Sequence, residues 1–259
     1  MHFKDYANYY NLLYKDKDYK AEADYVHALI KQFAPHSKTL IDLGCGTGNH
    51  AFEFEKLGYK VTGVDLSSQM VAIANDNKEK NNSMILFSEG DIRTYRDAKK
   101  YDVVVSLFHV MSYQTSNDDL EKAFLTAKNL IAEDGVFIFD CWYGPGVLID
   151  LPTSRTKNFE DDILRVVRNS NAIIDYNSNI VEVVFNVEIE NKITNAITTL
   201  EELHPMRFLF KPEIELLCSK YNLEIKAHYN WMEKEEPTER SWYSVFALKH
   251  QINESLLNG

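Results

Sequence analysis

The residues best suited to chemistry stand in one early stretch, Asp42-Leu43-Gly44-Cys45-Gly46-Thr47-Gly48, followed by Val64-Asp65. Glycines at alternate positions let a ligand press against backbone that side chains would otherwise block. A helix opening after Gly48 points free N–H groups at whatever lies on the turn. Asp65 falls 21 residues past Gly44, the offset at which an acid ending a second strand meets a ribose hydroxyl pair. The spacing is G-x-G-x-G, not the G-x-G-x-x-G of a dinucleotide turn. Asp42 just before it would repel a pyrophosphate and welcome an ammonium group. Together these residues describe a pocket for an adenosine-containing ligand.

A second set of reactive residues lies further along. His109 and Tyr113 follow the run Tyr101-Asp102-Val103-Val104-Val105-Ser106-Leu107-Phe108, and Trp142 and Tyr143 follow Val136-Phe137-Ile138-Phe139. Both runs read as strands, which puts these four residues at the carboxyl edge where ligands of open α/β sheets bind. His204 and Arg207, in Glu202-Leu203-His204-Pro205-Met206-Arg207-Phe208, suit either a bound phosphate or carboxylate or a salt bridge with Glu201 or Glu202. Six early tyrosines (Tyr6, Tyr9, Tyr10, Tyr14, Tyr19 and Tyr25) could close over a ligand, with Tyr14 and Tyr10 the chosen candidates. Trp231 and Trp242 read as core or rim aromatics.

These groups need a scaffold, and the hydrophobic pattern describes one. Leu40-Ile41 with Leu43 fits a parallel strand covered on both faces. Residues 1 to 34 read as helical. Residues 39 to 140 alternate strand and helix, with helices near 49–57, 67–80 and 117–131, as a doubly wound sheet requires. After Trp142-Tyr143-Gly144-Pro145-Gly146 the character changes. β-branched runs near 163–168, 180–189 and 196–204, separated by Asn-rich turns, read as an antiparallel meander. Pro212 sits in the first turn of a helix, and runs at 223–227 and 241–248 would be the last two strands. The organisation is therefore an N-terminal and ligand-binding core over 1–150, a β insertion over 151–205, and a closing helix and two strands over 206–250. The tail from Gln251 to Gly259 reads as frayed.

Composition narrows the function classes. The 259 residues can hold one large α/β domain with an insertion. No apolar run approaches the roughly 20 residues of a membrane span, and the opening Met1-His2-Phe3-Lys4-Asp5 has no signal-peptide pattern, so a cytoplasmic enzyme is expected. Cys45, Cys141 and Cys218 are too scattered for a disulfide framework or a zinc site. The net charge of −11, with no basic stripe to offset it, disfavours nucleic acid and favours a small-molecule partner. No His/Asp/Glu cluster has ligand spacing near the reactive residues, so no metal is expected.

Asp42–Gly48 resembles motif I of the class I S-adenosylmethionine-dependent methyltransferases. Asp65-Leu66-Ser67-Ser68-Gln69-Met70 is similar to their second motif, Gly90-Asp91-Ile92 to the adenine loop, Tyr101–Phe108 to the fourth strand, and Leu130–Ile138 to the turn into the fifth. The resemblance implies an α/β fold with a doubly wound, seven-stranded Rossmann-like sheet, the β meander being inserted after the fifth strand. It also implies S-adenosyl-L-methionine as cofactor, held by Tyr14, Asp42, Gly44, Gly46, Gly48, Asp65, Leu66, Met70, Asp91, Ile92 and Leu107. Tyr113, His109 and Tyr14 would serve catalysis, and Tyr10, Trp142, Tyr143, His204 and Arg207 would hold the acceptor. The stretch Tyr9–Tyr19 and the meander resemble the methyltransferases acting on amino groups of nucleotide-linked deoxysugars, and glycine- and sarcosine-type N-methyltransferases share parts of this layout. In the sugar enzymes a histidine follows the fourth strand, and Tyr113 stands at that place here. The expected acceptor is the amine of an amino sugar or related metabolite, with O-methylation or cofactor binding without catalysis as alternatives. A monomer or homodimer is expected.

Overall fold

The computed structural model describes Tyr9 and residues 12–251. One sheet takes strands β1 (Thr39–Leu43), β2 (Lys60–Asp65), β3 (Leu86–Glu89), β4 (Tyr101–Ser106), β5 (Ile131–Trp142), β10 (Leu223–Asn230) and β11 (Tyr243–His250) in the order β10-β11-β5-β4-β1-β2-β3. β1 to β5 run parallel, whereas β11 is antiparallel to both β5 and β10. Strand order reverses between β1 and β4, so a crevice opens at their carboxyl ends. Both faces are covered, which explains the continuous apolar runs. On one face α1 (Tyr19–Phe33) and α2 (Asn49–Lys56) bury Val26, Leu29, Ile30 and Phe54 against Leu40, Val103, Val105 and Ile138. On the other, α4 (Asn117–Leu130) and α6 (Lys211–Tyr221) bury Leu120, Phe124 and Ile214 against Ile41, Val104, Phe137 and Phe139.

Side-chain caps fix where helices begin. Asp18 accepts from the Ala21 N–H at 2.8 Å and starts α1. Ser67 accepts from Met70 N–H at 3.3 Å and starts α3 (Ser68–Asn81) directly after β2. Ser116 accepts from Asp119 N–H at 3.0 Å and starts α4. The Asp18 cap divides the helical stretch expected over residues 1–34. The chain turns at Tyr14–Asp16 and the helix begins anew at Tyr19. Tyr6 and Tyr10 lie outside the described residues, as does the tail after Gln251.

The insertion forms a separate four-stranded antiparallel sheet, β6 (Arg155–Glu160), β7 (Leu164–Asp175), β8 (Ile180–Asn191) and β9 (Ile197–Arg207), in that order. Its first strand escaped the sequence reading because Arg155-Thr156-Lys157-Asn158-Phe159-Glu160 is an almost wholly exposed polar edge, as edge strands commonly are. A short helix, α5 (Gly144–Ile149), follows β5 where the sequence marks only a change of character, with Pro145 in its first turn. One face of the second sheet is apolar. Val166 and Val187 pack with Tyr9, Leu12, Leu13 and Met70, and Val181 packs with Val147 and Phe208. Those contacts set the second sheet over the start of α3 and over α5, beside the carboxyl edge of the main sheet.

Candidate active site

A cavity of about 830 Å³ lies at that edge, within the usual range for a small-molecule site. Its floor is the turn after β1. Gly44 has φ +88° and Gly46 φ +55°, both in the left-handed region that favours glycine. A Cβ on Gly44 would lie 2.5 Å from Val110, while Gly46 faces open space. Asp65, at the end of β2, braces this turn. Its Oδ2 accepts the Gly46 N–H at 2.8 Å and its Oδ1 accepts the Ser67 N–H at 2.9 Å. Leu66, Met70, Asp91, Ile92 and Leu107 also line the cavity, and Leu66 is 54% exposed there although apolar. Asp91 is committed on one side, because the Arg93 guanidinium clasps its carboxylate at 2.6–3.0 Å and holds it below the usual carboxylate range.

Gly48 serves packing, since a Cβ there would lie 2.7 Å from the Phe87 ring. Asp42 is 1% exposed, behind the turn, and burial with the neighbouring Asp65 charge pushes its carboxyl up to about 8. Burial raises Asp65 as well, opposed by its two N–H partners. Asp42 sits behind the glycine turn holding its proton, while Asp65 lines the cavity, where a ligand diol fits its acceptor oxygens. The Asp42 shift has a consequence for stability. In the unfolded chain its carboxyl ionises near pH 4, while in the fold it keeps its proton to about 8, so stability drains away as pH rises between those values. Without cofactor, Asp42→Asn should therefore gain melting temperature relative to the parent protein as pH goes from 5 to 8. A constant gap in thermal midpoint across that range would refute this.

The acceptor end is built from the ends of β4 and β5, the N-terminal segment and the second sheet. Phe108 and His109 follow β4 with φ +63° and +64°, an uncommon pairing for residues other than glycine. The Asp140 carboxylate stabilises it, accepting the His109 backbone N–H at 3.1–3.2 Å while lying 2.5 Å from Nδ1. The His109 ring stacks on Tyr243 with centroids 4.5 Å apart, and Tyr14 meets Phe108 edge-on at 5.1 Å. Tyr113 Oη lies 2.9 Å from His204 Nδ1, and burial raises its phenol above the ordinary value. Trp142 turns its indole into the same wall, and its N–H is buried without a partner among the described residues.

Two expected acceptor-side residues face elsewhere. Tyr143 N–H donates to Trp242 O at 2.9 Å and its ring meets His228 at 5.2 Å. It follows Trp142 directly, and successive residues of an extended chain point to opposite faces. Arg207 Nη2 donates to Asn117 at 2.7 Å and Glu213 at 2.6 Å, pinning the end of β9 to α4 and α6. Three positions from His204, it takes the other face of β9. Tyr10 lies outside the described residues. The sequence reading missed Tyr243, Phe185 and Met206, which also line the cavity. Tyr243 was discoverable, because an antiparallel last strand begins at the carboxyl edge. Among the described residues no group of three or more His, Cys, Asp or Glu could hold a metal ion, and no helix is long and apolar enough to cross a membrane.

Comparison with known proteins agrees with this architecture. Residues 40–135 match a methyltransferase domain family. A solved S-adenosylmethionine-dependent methyltransferase from Clostridium acetobutylicum superposes with a TM-score of 0.81 at 21% identity, covering 96% of this chain and 98% of that one. Streptomyces venezuelae DesVI gives 0.80 at 21%, covering 95% and 98%. Domain match, fold and glycine turn together support S-adenosylmethionine-dependent methyltransferase activity with that molecule as cofactor, in a chain that resembles the class I methyltransferases. More narrowly, the chain resembles amino-sugar N-methyltransferases. It is 27% identical over 233 residues to the Streptomyces venezuelae dTDP-3-amino-3,4,6-trideoxy-alpha-D-glucopyranose N,N-dimethyltransferase, covering 87% of this chain and 93% of that one.

Proposed function

We propose that this enzyme methylates the amine of an amino sugar or related small metabolite, in glycan or natural-product assembly. The observation that carries the reading is the second sheet's inner face, which brings Phe185, His204 and Met206 into the lining of the same cavity as Tyr113, Trp142 and Tyr243. The likeness to the Streptomyces venezuelae dimethyltransferase over most of both chains supports it. S-adenosylmethionine supplies the methyl group as a sulfonium. Gly44 and Gly46 give its bed, Asp65 takes the ribose hydroxyls, and Leu66 and Ile92 flank the adenine. Leu107, Tyr14 and His109 shape the region of transfer, where exclusion of water and alignment supply a large part of the rate, on the order of 7–11 kcal/mol for a well-oriented pair. The second sheet acts as the wall that selects the acceptor. The same reading makes the protein a cytoplasmic monomer or homodimer acting on neither nucleic acid nor membrane, and its net charge of −11 supports the exclusion of phosphate backbones.

A second reading, O-methylation, is favoured by one feature, the buried carboxylate–imidazole–phenol series ending at Tyr113, since a hydroxyl acceptor needs a base. Incubating the enzyme with nucleotide-linked amino sugars and their hydroxyl counterparts, and reading products by mass, separates the two. We expect a methyl gain on the amino compounds alone. Methylation confined to hydroxyl compounds would replace the first reading with the second.

A further inference from the structure

The inner face of the second sheet buries three ionisable side chains, Arg168 on β7 and Glu202 and His204 on β9, which are 9%, 8% and 4% exposed. Burying ionisable groups beside Val166, Val187 and Phe185 is costly unless they are partnered, and the partners here run in one direction. Tyr9 Oη donates to Glu202 Oε1 at 2.7 Å. Glu202 Oε2 lies 3.3 Å from His204 Nε2. His204 Nδ1 lies 2.9 Å from Tyr113 Oη, crossing from the second sheet to the turn after β4. Tyr113 lines the cavity.

The carboxylate fixes the tautomer. It places the ring proton on Nε2, which leaves Nδ1 to accept the Tyr113 hydroxyl proton. The phenol, held in its protonated form by burial, then has its oxygen lone pairs available to the cavity. Several groups face His204. On its own strand there is Glu202, with Tyr9 beyond it. The turn contributes Tyr113, with Tyr14 near that phenol. From β8 come Phe185, 4.9 Å away, and Val183, neither of which titrates. From β7 comes Arg168, whose guanidinium sits 4.5 Å over the Phe185 ring.

We propose that Glu202, His204 and Tyr113 form a proton relay that deprotonates the acceptor, an inference resting on the methyltransferase reading above. The acceptor arrives as an ammonium. Its N–H bond breaks as an O–H bond forms at Tyr113 Oη, and the original Tyr113 O–H bond breaks as an N–H bond forms at His204 Nδ1. The positive charge moves from the acceptor to an imidazolium beside Glu202, and the nitrogen's electron pair is left free to take the methyl group. Nothing is oxidised or reduced, and the proton leaves to water after product release. Tyr113 is the group that touches the acceptor, while His204 and Glu202 act through it as positioning residues.

The test compares pH–rate profiles of the parent enzyme, Tyr113→Phe, His204→Gln and Glu202→Gln on an amino-sugar acceptor. Each variant's cofactor affinity is measured by calorimetry to confirm that it folds. Tyr113→Phe and His204→Gln should lose on the order of 10²-fold in kcat/KM near pH 7. They should recover most of it near pH 10, where the amine enters already deprotonated. A loss of equal size at both pH values would mark a merely structural role and overturn the relay. Independently, nitrogen-detected NMR of the cofactor-free protein should show His204 as the Nε2–H tautomer, titrating at lower pH in Glu202→Gln. An Nδ1–H tautomer, or a titration indifferent to Glu202, would also overturn it. If the parent enzyme methylates no amine, the proposed function fails, while the NMR result still decides the relay.

Discussion

Asp65→Ala should bind S-adenosylmethionine at least tenfold more weakly than the parent protein in a calorimetric titration. Two effects combine. The carboxylate offers the ribose hydroxyls charge-assisted hydrogen bonds, each worth roughly 1.5–3 kcal/mol, and tenfold in affinity is about 1.4 kcal/mol. The same carboxylate accepts the N–H groups of Gly46 and Ser67, so its loss also frees the glycine turn on which the cofactor rests. Asp65→Asn tests the second effect. Its amide keeps one acceptor oxygen but turns an N–H₂ toward one of those backbone donors, so its affinity should fall between the other two. Unchanged binding in the alanine variant would mean that the cofactor lies elsewhere.

Replacing residues 153–203 with a short Gly/Ser linker should abolish turnover, by about 10²-fold or more through lost positioning and entry of water. Cofactor affinity should fall much less. Apart from Tyr14 and Met70, the residues proposed to hold the cofactor lie on the main sheet and its turns, whereas Val183 and Phe185 come from the excised strands. The excision uncovers Met70, Val147 and Phe208, which pack on the second sheet. The double substitution Phe185→Ala with Met206→Ala therefore provides a gentler version on an intact fold. It should raise KM for the acceptor while leaving cofactor binding near the parent value. A truncated, folded protein that still methylates its acceptor at a normal rate would show that the second sheet does not enclose the reaction.

The parts legible in the sequence are those where local chemistry and local geometry coincide. A glycine turn between a buried strand and a helix can be read from seven consecutive residues, and the acid ending the next strand follows at a fixed offset. Helix starts at Asn49, Ser68 and Asn117 were readable because turn and cap residues precede apolar periodicity. The unreadable parts depend on which way a side chain faces. Tyr143 adjoins Trp142 and Arg207 adjoins Met206, yet the period of two along extended chain sends one of each pair away from the cavity. The contact between Tyr113 and His204 spans 91 residues, and no local pattern announces it. The strand at Arg155–Glu160 has no apolar alternation because it lies at an edge, so its pairing with β7 is set by the partner strand's hydrogen bonds.

The place of β11 governs how the chain can be assembled during synthesis. The strand lies second in the main sheet, between β5 and β10, yet it ends at His250, 108 residues after β5 is finished at Trp142. At translation rates of about 5–20 residues per second, β5 waits about 5–20 s as an open edge of unpaired backbone groups beside a hydrophobic core. An exposed edge of that kind invites pairing with another chain. The four-stranded insertion is made within that interval and can complete its own ladders first, since each of its strands pairs only with its sequence neighbours. The order of emergence thus closes the local sheet early and leaves the nucleotide-binding sheet, though most of it is made first, to be sealed last.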